Sequence, residues 1–216
     1  MVEKFHQELE KLKQDVLSMG QLARSMLSTG VDSLKNLDIK KAEWVDSKKK
    51  ELAERNVQLE EEALHLIALY QPMAIDMRTI ACCLKMITSL DRIGRYGKDI
   101  AKVTREIYPG PHIKKLISIP HMNDIVSKMI SDVFTGFANE DLTLFKDFSE
   151  RDSDVDELRY SVFRECITYM MEDPKNITIC THYIMVARYL ERCGDHACTM
   201  AEQITYMVTG ERREIK

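Results

Sequence analysis

The string Leu90-Asp91-Arg92-Ile93-Gly94-Arg95 returns as Leu190-Glu191-Arg192-Cys193-Gly194-Asp195, an offset of 100, after which Ala101 meets Ala201. Upstream, Met26-Leu27-Ser28 meets Met129-Ile130-Ser131 at an offset of 103. Self-similarity at a nearly fixed period marks a duplicated structural unit, so the chain is built from two copies of one motif. The small change of offset is absorbed in a turn between the two matched stretches.

Helical periodicity fills both copies. Among 216 residues only 8 are Gly and 5 Pro, while 44% are hydrophobic and 31% charged. That balance favours long helices with wetted outer faces over strands joined by many turns. Breakers fall at Gln71-Pro72, along Tyr108-Pro109-Gly110-Pro111 to Pro120, and at Asp173-Pro174. Softer interruptions stand at Asn36-Leu37-Asp38 and Asn139-Glu140-Asp141. Asp173 before Pro174 reads as an N-cap followed by the first helical residue, because proline lacks only an N–H that the first turn leaves unpaired. Six helices are expected, three per copy. The fold class this predicts is all-α, with two tandem antiparallel three-helix bundles related by the internal repeat. Residues 1–108 form the first, 109–119 a Pro/Gly-containing linker, and 120–216 the second.

Charge narrows the function classes. Lysine and arginine number 31 against 35 acids, interspersed, for a formal charge of −4, which gives no electrostatic reason to expect direct nucleic-acid binding. The start, MVEKFHQELEKLKQDV, has charges every few residues and lacks the apolar centre of a signal peptide. No stretch approaches the ~18 apolar residues of a membrane span, so a cytoplasmic protein is expected. The six cysteines (82, 83, 166, 180, 193, 198) include no Cys-x-x-Cys pair and are expected to be ordinary buried thiols. Neither G-x-x-x-x-G-K-[ST] nor G-x-G-x-x-G occurs, which removes the P-loop and dinucleotide readings.

The chemistry lies in the last two helices. Tyr160, Phe163, Ile167 and Met170 read as an inward apolar stripe, and stepping back by four reaches Asp156 and Asp152 on the same face. On the following helix Ile184, Ala187, Glu191, Asp195 and Cys198 keep three-and-four spacing. Asp152 and Asp195 are equally far in sequence from the Asp173-Pro174 bond, and so are Asp156 and Glu191. If the helices fold back there, the four carboxylates meet at matched heights, because both helices rise equally per residue. Four such charges in a partly dry seam need a counterion, and an all-oxygen set suits a hard cation such as magnesium, manganese or iron. The bland reading is a solvated face on which Arg159 and Arg192 pair with these acids.

The first copy repeats the geometry with other side chains. Lys49 and Ala53 face Asp91 and Arg95, so three of four acids are gone and two have become cations, an arrangement that repels a metal ion. Asp91 is expected to pair with Arg95 one turn later. Capture of an anion, phosphate among them, by Lys49 and Arg95 is the less favoured alternative. His65, His182 and His196 are expected to be surface or packing residues, and Gly94 and Gly194 to permit close helix approach.

ALHLIALYQPMAIDMRTI at 63–80, LDRIG at 90–94, YMMEDP at 169–174, ARYLERCGDHA at 187–197 and AEQITYMVTGE at 201–211 resemble the PhoU family over essentially the whole chain. The resemblance implies a negative regulator of phosphate uptake and phosphate-starvation signalling. It also implies contacts with the phosphate transporter's ATPase subunit and a phosphate-sensing histidine kinase. The family's metal motif, Glu or Asp, three residues, then Asp, occurs twice per half and holds iron, zinc or other metal clusters. Carried over, it falls on Asp152 with Asp156 and on Glu191 with Asp195, and fails at Lys49 with Ala53 and at Asp91 with Arg95. One metal ion or cluster, of iron, zinc, manganese or magnesium, is therefore expected in the second repeat. A homodimer is the expected assembly and no catalysis is expected. The alternatives are a helical carboxylate metalloenzyme, whose usual Glu-x-x-His motifs are missing from these four positions, and a metal-free helical adaptor.

Overall fold

The computed structural model describes residues 2–215, and among these every regular element is helical. The first repeat holds α1 (Val2–Asn36), α2 (Ile39–Ser47), α3 (Lys49–Tyr70) and α4 (Ala74–Ile107). The second holds α5 (Ser118–Asn139), a 3₁₀ turn (Leu142–Phe145), α6 (Phe148–Glu172), a second 3₁₀ turn (Pro174–Asn176) and α7 (Ile177–Thr209). The repeat is visible in the backbone itself. Leu37 and Glu140, 103 apart, both adopt left-handed φ (52° and 56°) directly after a long helix. Asp38 and Asp141 then cap the next element, accepting from Lys41 N at 3.2 Å and Thr143 N at 2.9 Å.

Two sequence expectations need correction. The expected second helix is two helices, parted at Lys48, whose N–H bonds back to Val45 O in a tight turn (3.2 Å) while Ser47 Oγ donates to Trp44 O (2.6 Å). The matching place in the second repeat is the 3₁₀ turn before α6. The predicted stripe on α6 also lies on the wrong line: Tyr160, Phe163 and Ile167 are exposed, and the buried line is Phe148, Asp152, Val155, Val162 and Cys166. Both lines keep three-and-four spacing, so periodicity alone could not choose between them. Asp152 belongs to the buried line, and Asp156 stands at its edge.

The repeats do not hang from a linker as separate beads. α4 and α7 run antiparallel along each other, with Arg78 Nε donating to Met207 O (3.3 Å), Tyr96 stacked on Tyr189 (5.4 Å) and Glu106 beside His182 (3.6 Å). α1 and α5 do likewise, through Ser28 and Ser127 (3.1 Å) and through Phe134, whose ring occupies the space beside Gly20. One apolar cluster consequently runs through both bundles. The connecting segment is docked as well: Leu116 is buried, and the His112 ring bridges Leu34 O of α1 (2.8 Å) and Tyr183 Oη of α7 (2.7 Å). Within the first bundle α1 and α4 cross where two glycines face each other, since a Cβ on Gly97 would lie 2.6 Å from Leu27 N and one on Gly30 would lie 2.5 Å from Gly97 O.

Candidate functional site

α6 and α7 fold back about Asp173, which accepts from Lys175 N (3.0 Å), so that Asp152 comes against Gly194 and Asp156 and Asp195 come near enough to Glu191 to act on its charge. Asp152 is 9% exposed and packs against α7 at Gly194, where a Cβ would sit 3.3 Å from its Oδ1. Glu191 is largely buried; its Oε1 accepts from Arg188 (2.5 Å), while Oε2 is closed to solvent and has no hydrogen-bond donor, the Arg192 Nε being 4.0 Å away. Asp195 faces Arg192 (3.4 Å) and Asp156 faces Arg159 (3.7 Å). Burial first, then the charges of Asp195 and Asp156, push the Glu191 carboxyl above the usual glutamate range against the pull of Arg188 and Arg192. Among the described residues no three His, Cys, Asp or Glu side chains stand close enough together to hold a metal ion in this arrangement. The donor set nevertheless fits a hard cation, because every candidate ligand is a carboxylate oxygen and one of them is an orphaned buried acceptor.

A proton is the weaker counterion available to the same seam. Because the folded-state carboxyl of Glu191 is raised, the folded chain holds this proton more tightly than the unfolded chain. The contribution is full below the ordinary glutamate value and is lost as pH rises through the raised one. In chelator-treated protein, Glu191→Gln is therefore expected to raise the melting temperature at neutral pH and to flatten its decline between mildly acidic and neutral pH. A lower melting temperature at both pH values would show that the Arg188 pairing outweighs burial.

The equivalent seam between α3 and α4 is a cleft of about 360 Å³ lined by Lys49, Ala53, Asp91, Arg92 and Arg95 among others. Arg95 Nε donates to Asp91 Oδ2 at 2.7 Å, the pairing expected from their spacing. Asp91 Oδ1, like Glu191 Oε2 at the matching position of the other repeat, is buried without a donor.

A family model described as PhoU domain matches the chain twice, at residues 16–104 and 119–204, one match per bundle. The chain belongs to the PhoU family. It is 37% identical to the phosphate-specific transport system accessory protein PhoU homolog of Rhizobium meliloti (strain 1021), over 95% of this chain and 87% of that one. It is 34% identical to the homolog of the same description in Aquifex aeolicus (strain VF5), over 96% and 94%. Its fold is similar to the crystal structure of PhoU from Pseudomonas aeruginosa, with a TM-score of 0.91, 31% identity, and coverage of 96% and 100% of the two chains. The phosphate transport system regulatory protein PhoU from Streptococcus pneumoniae shares the fold at a TM-score of 0.88 and 24% identity. As a PhoU-family member the chain is a regulatory accessory protein and not an enzyme.

The PhoU repeats place the remaining candidates in the packing. His196 lies against Tyr96 across the α4–α7 contact (6.2 Å), and burial keeps its imidazole below the usual histidine range. His182 sits beside Glu106, and His65 lines a groove between α1 and α3. All six cysteines are buried and outside any disulfide, and burial pushes the Cys83 and Cys166 thiols up to about 12, which makes them poor nucleophiles. The Arg188 pairing has one sequence signal, its place three residues before Glu191, the spacing at which a helical ion pair forms. No helix among the described residues is long and apolar enough to cross a membrane.

Proposed function

We propose that the chain is an accessory regulator of a phosphate-specific transport system that restrains phosphate uptake and phosphate-starvation signalling. It acts in the cytoplasm, as a homodimer, by binding the transporter's ATPase subunit and a phosphate-sensing histidine kinase. The observation that carries this reading is the match of both repeats to the PhoU domain, together with a relative of that description spanning nearly the whole chain. Binding to other proteins is further supported by the apolar strip on α6, where Tyr160, Phe163, Ile167 and Met171 are exposed at helical spacing, Met171 at 81%.

In the same reading Asp152, Asp156, Glu191 and Asp195 hold one metal ion or cluster. Support comes from the orphaned Glu191 oxygen and from the burial, then the neighbouring charges of Asp195 and Asp156, that lift its carboxyl. When bound, the ion supplies the positive charge that ties α6 to α7; the chain's own residues orient their carboxylates and exclude water. A cation of this kind fixes one arrangement of the two helices and so biases the surface shown to partners. A ligand at ~100 times its dissociation constant stabilises a fold by ~2.7 kcal/mol, so metal loss is expected to show as a clear fall in melting temperature. Elemental analysis of purified protein should find a metal that Asp156→Ala and Asp195→Ala lose, with a lower melting temperature and weaker capture of the ATPase subunit and the kinase. Metal-free protein that captures both partners normally would reduce the reading to a helical adaptor, and capture of neither would defeat the regulatory reading.

A further inference from the structure

The α3–α4 cleft is the charge-inverted twin of the acidic seam. Two of its cations are spoken for, since Arg95 pairs with Asp91 (2.7 Å) and Lys98 with Asp99 (3.0 Å). Lys49 and Arg92, which line the same cleft, have no carboxylate of the described residues within ion-pair distance, so the cleft carries two uncompensated positive charges. Positive charge gathered in a concave site concentrates anions there. Charge alone would suit any anion, but the cleft is also lined by Asp91, whose Oδ1 is a buried acceptor with no protein donor. A fully deprotonated anion such as sulfate meets that oxygen as a like charge. A tetrahedral anion that keeps a proton offers negative oxygens to Lys49 and Arg92 and an O–H to Asp91, a charge-assisted hydrogen bond.

The geometry points to the α3–α4 cleft as a binding site for a protonated tetrahedral oxyanion, hydrogen phosphate or the phosphate group of a small phosphomonoester, held by Lys49 and Arg92 and selected by Asp91. The volume of about 360 Å³ leaves room for either source. Asp91 Oδ1 is shielded from solvent in this arrangement, so accepting the ligand's proton requires the carboxylate to turn into the cleft. Its partner Arg95, whose side chain is 56% exposed, can follow that turn. The site does not depend on a cation in the second repeat.

Calorimetric titration of full-length, chelator-treated protein at neutral pH and constant ionic strength tests this, with inorganic phosphate, glycerol 3-phosphate and sulfate as separate ligands. Saturable binding of phosphate or of the ester is expected, with sulfate weaker by roughly tenfold or more, the cost of leaving a buried carboxylate unpaired beside a like charge. Binding of the ester alone would identify a phosphomonoester as the ligand, and binding of phosphate would identify the free ion as sufficient. Lys49→Glu and Arg92→Glu should each weaken binding at least about tenfold, with Lys49→Met and Arg92→Met standing in if the acidic variants lose their helical circular dichroism. Asp91→Asn replaces an acceptor by a side chain that can donate, and should bring sulfate level with phosphate. No saturable binding of either phosphate species, or equal affinity for sulfate in the unaltered protein, overturns the assignment.

Discussion

Gly97→Ala is expected to destabilise the chain, although a helical Gly→Ala change by itself favours the folded state by ~1 kcal/mol. The added methyl would meet Leu27 N, Met26 C and Met26 O at 2.6–2.7 Å, all backbone atoms of α1. Backbone in the middle of a 35-residue helix cannot step aside as the end of a side chain can. Forcing the two helices apart costs ~1–3 kcal/mol by the measured range for overpacked cores, and this contact lies at its upper end. Urea unfolding should therefore show a lower midpoint at unchanged slope, with a net loss of ~1–2 kcal/mol. Gly194→Ala is the informative contrast. Its new methyl would stand 3.3 Å from the Asp152 Oδ1, a side-chain atom, and the cost should be small enough for the helical gain to offset much of it. If Gly97→Ala unfolds at the same urea concentration as the parent protein, the close crossing of α1 and α4 is not a constraint on the fold.

His112→Ala should have an effect of similar or greater size by a different route. The imidazole Nε2–H donates to Leu34 O, which fixes the tautomer and leaves Nδ1 to accept from the Tyr183 hydroxyl. Leu34 and Tyr183 are both fully buried, so truncation leaves the Tyr183 O–H without its acceptor where little water can replace the ring, and removes the shorter of two hydrogen bonds on Leu34 O, which keeps the one from Leu37 N at 3.3 Å. At ~1–3 kcal/mol for the hydroxyl left unpaired and ~1 kcal/mol for the lost bond to the carbonyl, the expected loss is ~2–4 kcal/mol. Tyr183→Phe removes one donor only and frees a nitrogen on a half-buried ring, so it should cost ~1 kcal/mol. Because the clasp spans both repeats and the segment between them, limited proteolysis of His112→Ala should cut first within residues 108–117. A variant as stable and as protease-resistant as the parent would show that the segment is held by Leu116 and its neighbours alone.

The duplicated arrangement, the helical character of the chain and the positions of its main breaks could all be read from the residues. Helices announce themselves locally, through three-and-four spacing and through caps such as Asp38, Asp141 and Asp173. The equal distances of Asp152 and Asp195, and of Asp156 and Glu191, from the Asp173-Pro174 turn were legible for the same reason, and the structure sets Asp152 against Gly194 and Asp156 near Glu191. The Asp91–Arg95 pair, one turn apart on a single helix, needed no tertiary information at all. What misled was the choice of face on α6. Tyr160, Phe163 and Ile167 make as good an apolar line as Val155, Val162 and Cys166, and only the packing against α5 and α7 decides which one is covered.

The sequence by itself determined a duplicated all-helical chain with carboxylates along one seam and cations along its twin, because these depend on spacing along single helices and on chain reversal at fixed turns. Only the tertiary structure decided that the two bundles share one core through α1–α5 and α4–α7, that His112 clasps them, and that Gly30 meets Gly97. Only the tertiary structure, too, left Glu191 and Asp91 each with an oxygen that no protein donor reaches. The contacts between α1 and α5, between α4 and α7, at His112 and at Gly97 join residues about seventy to a hundred and thirty positions apart, and their energies come from mutual burial, which exists only once both surfaces are in place.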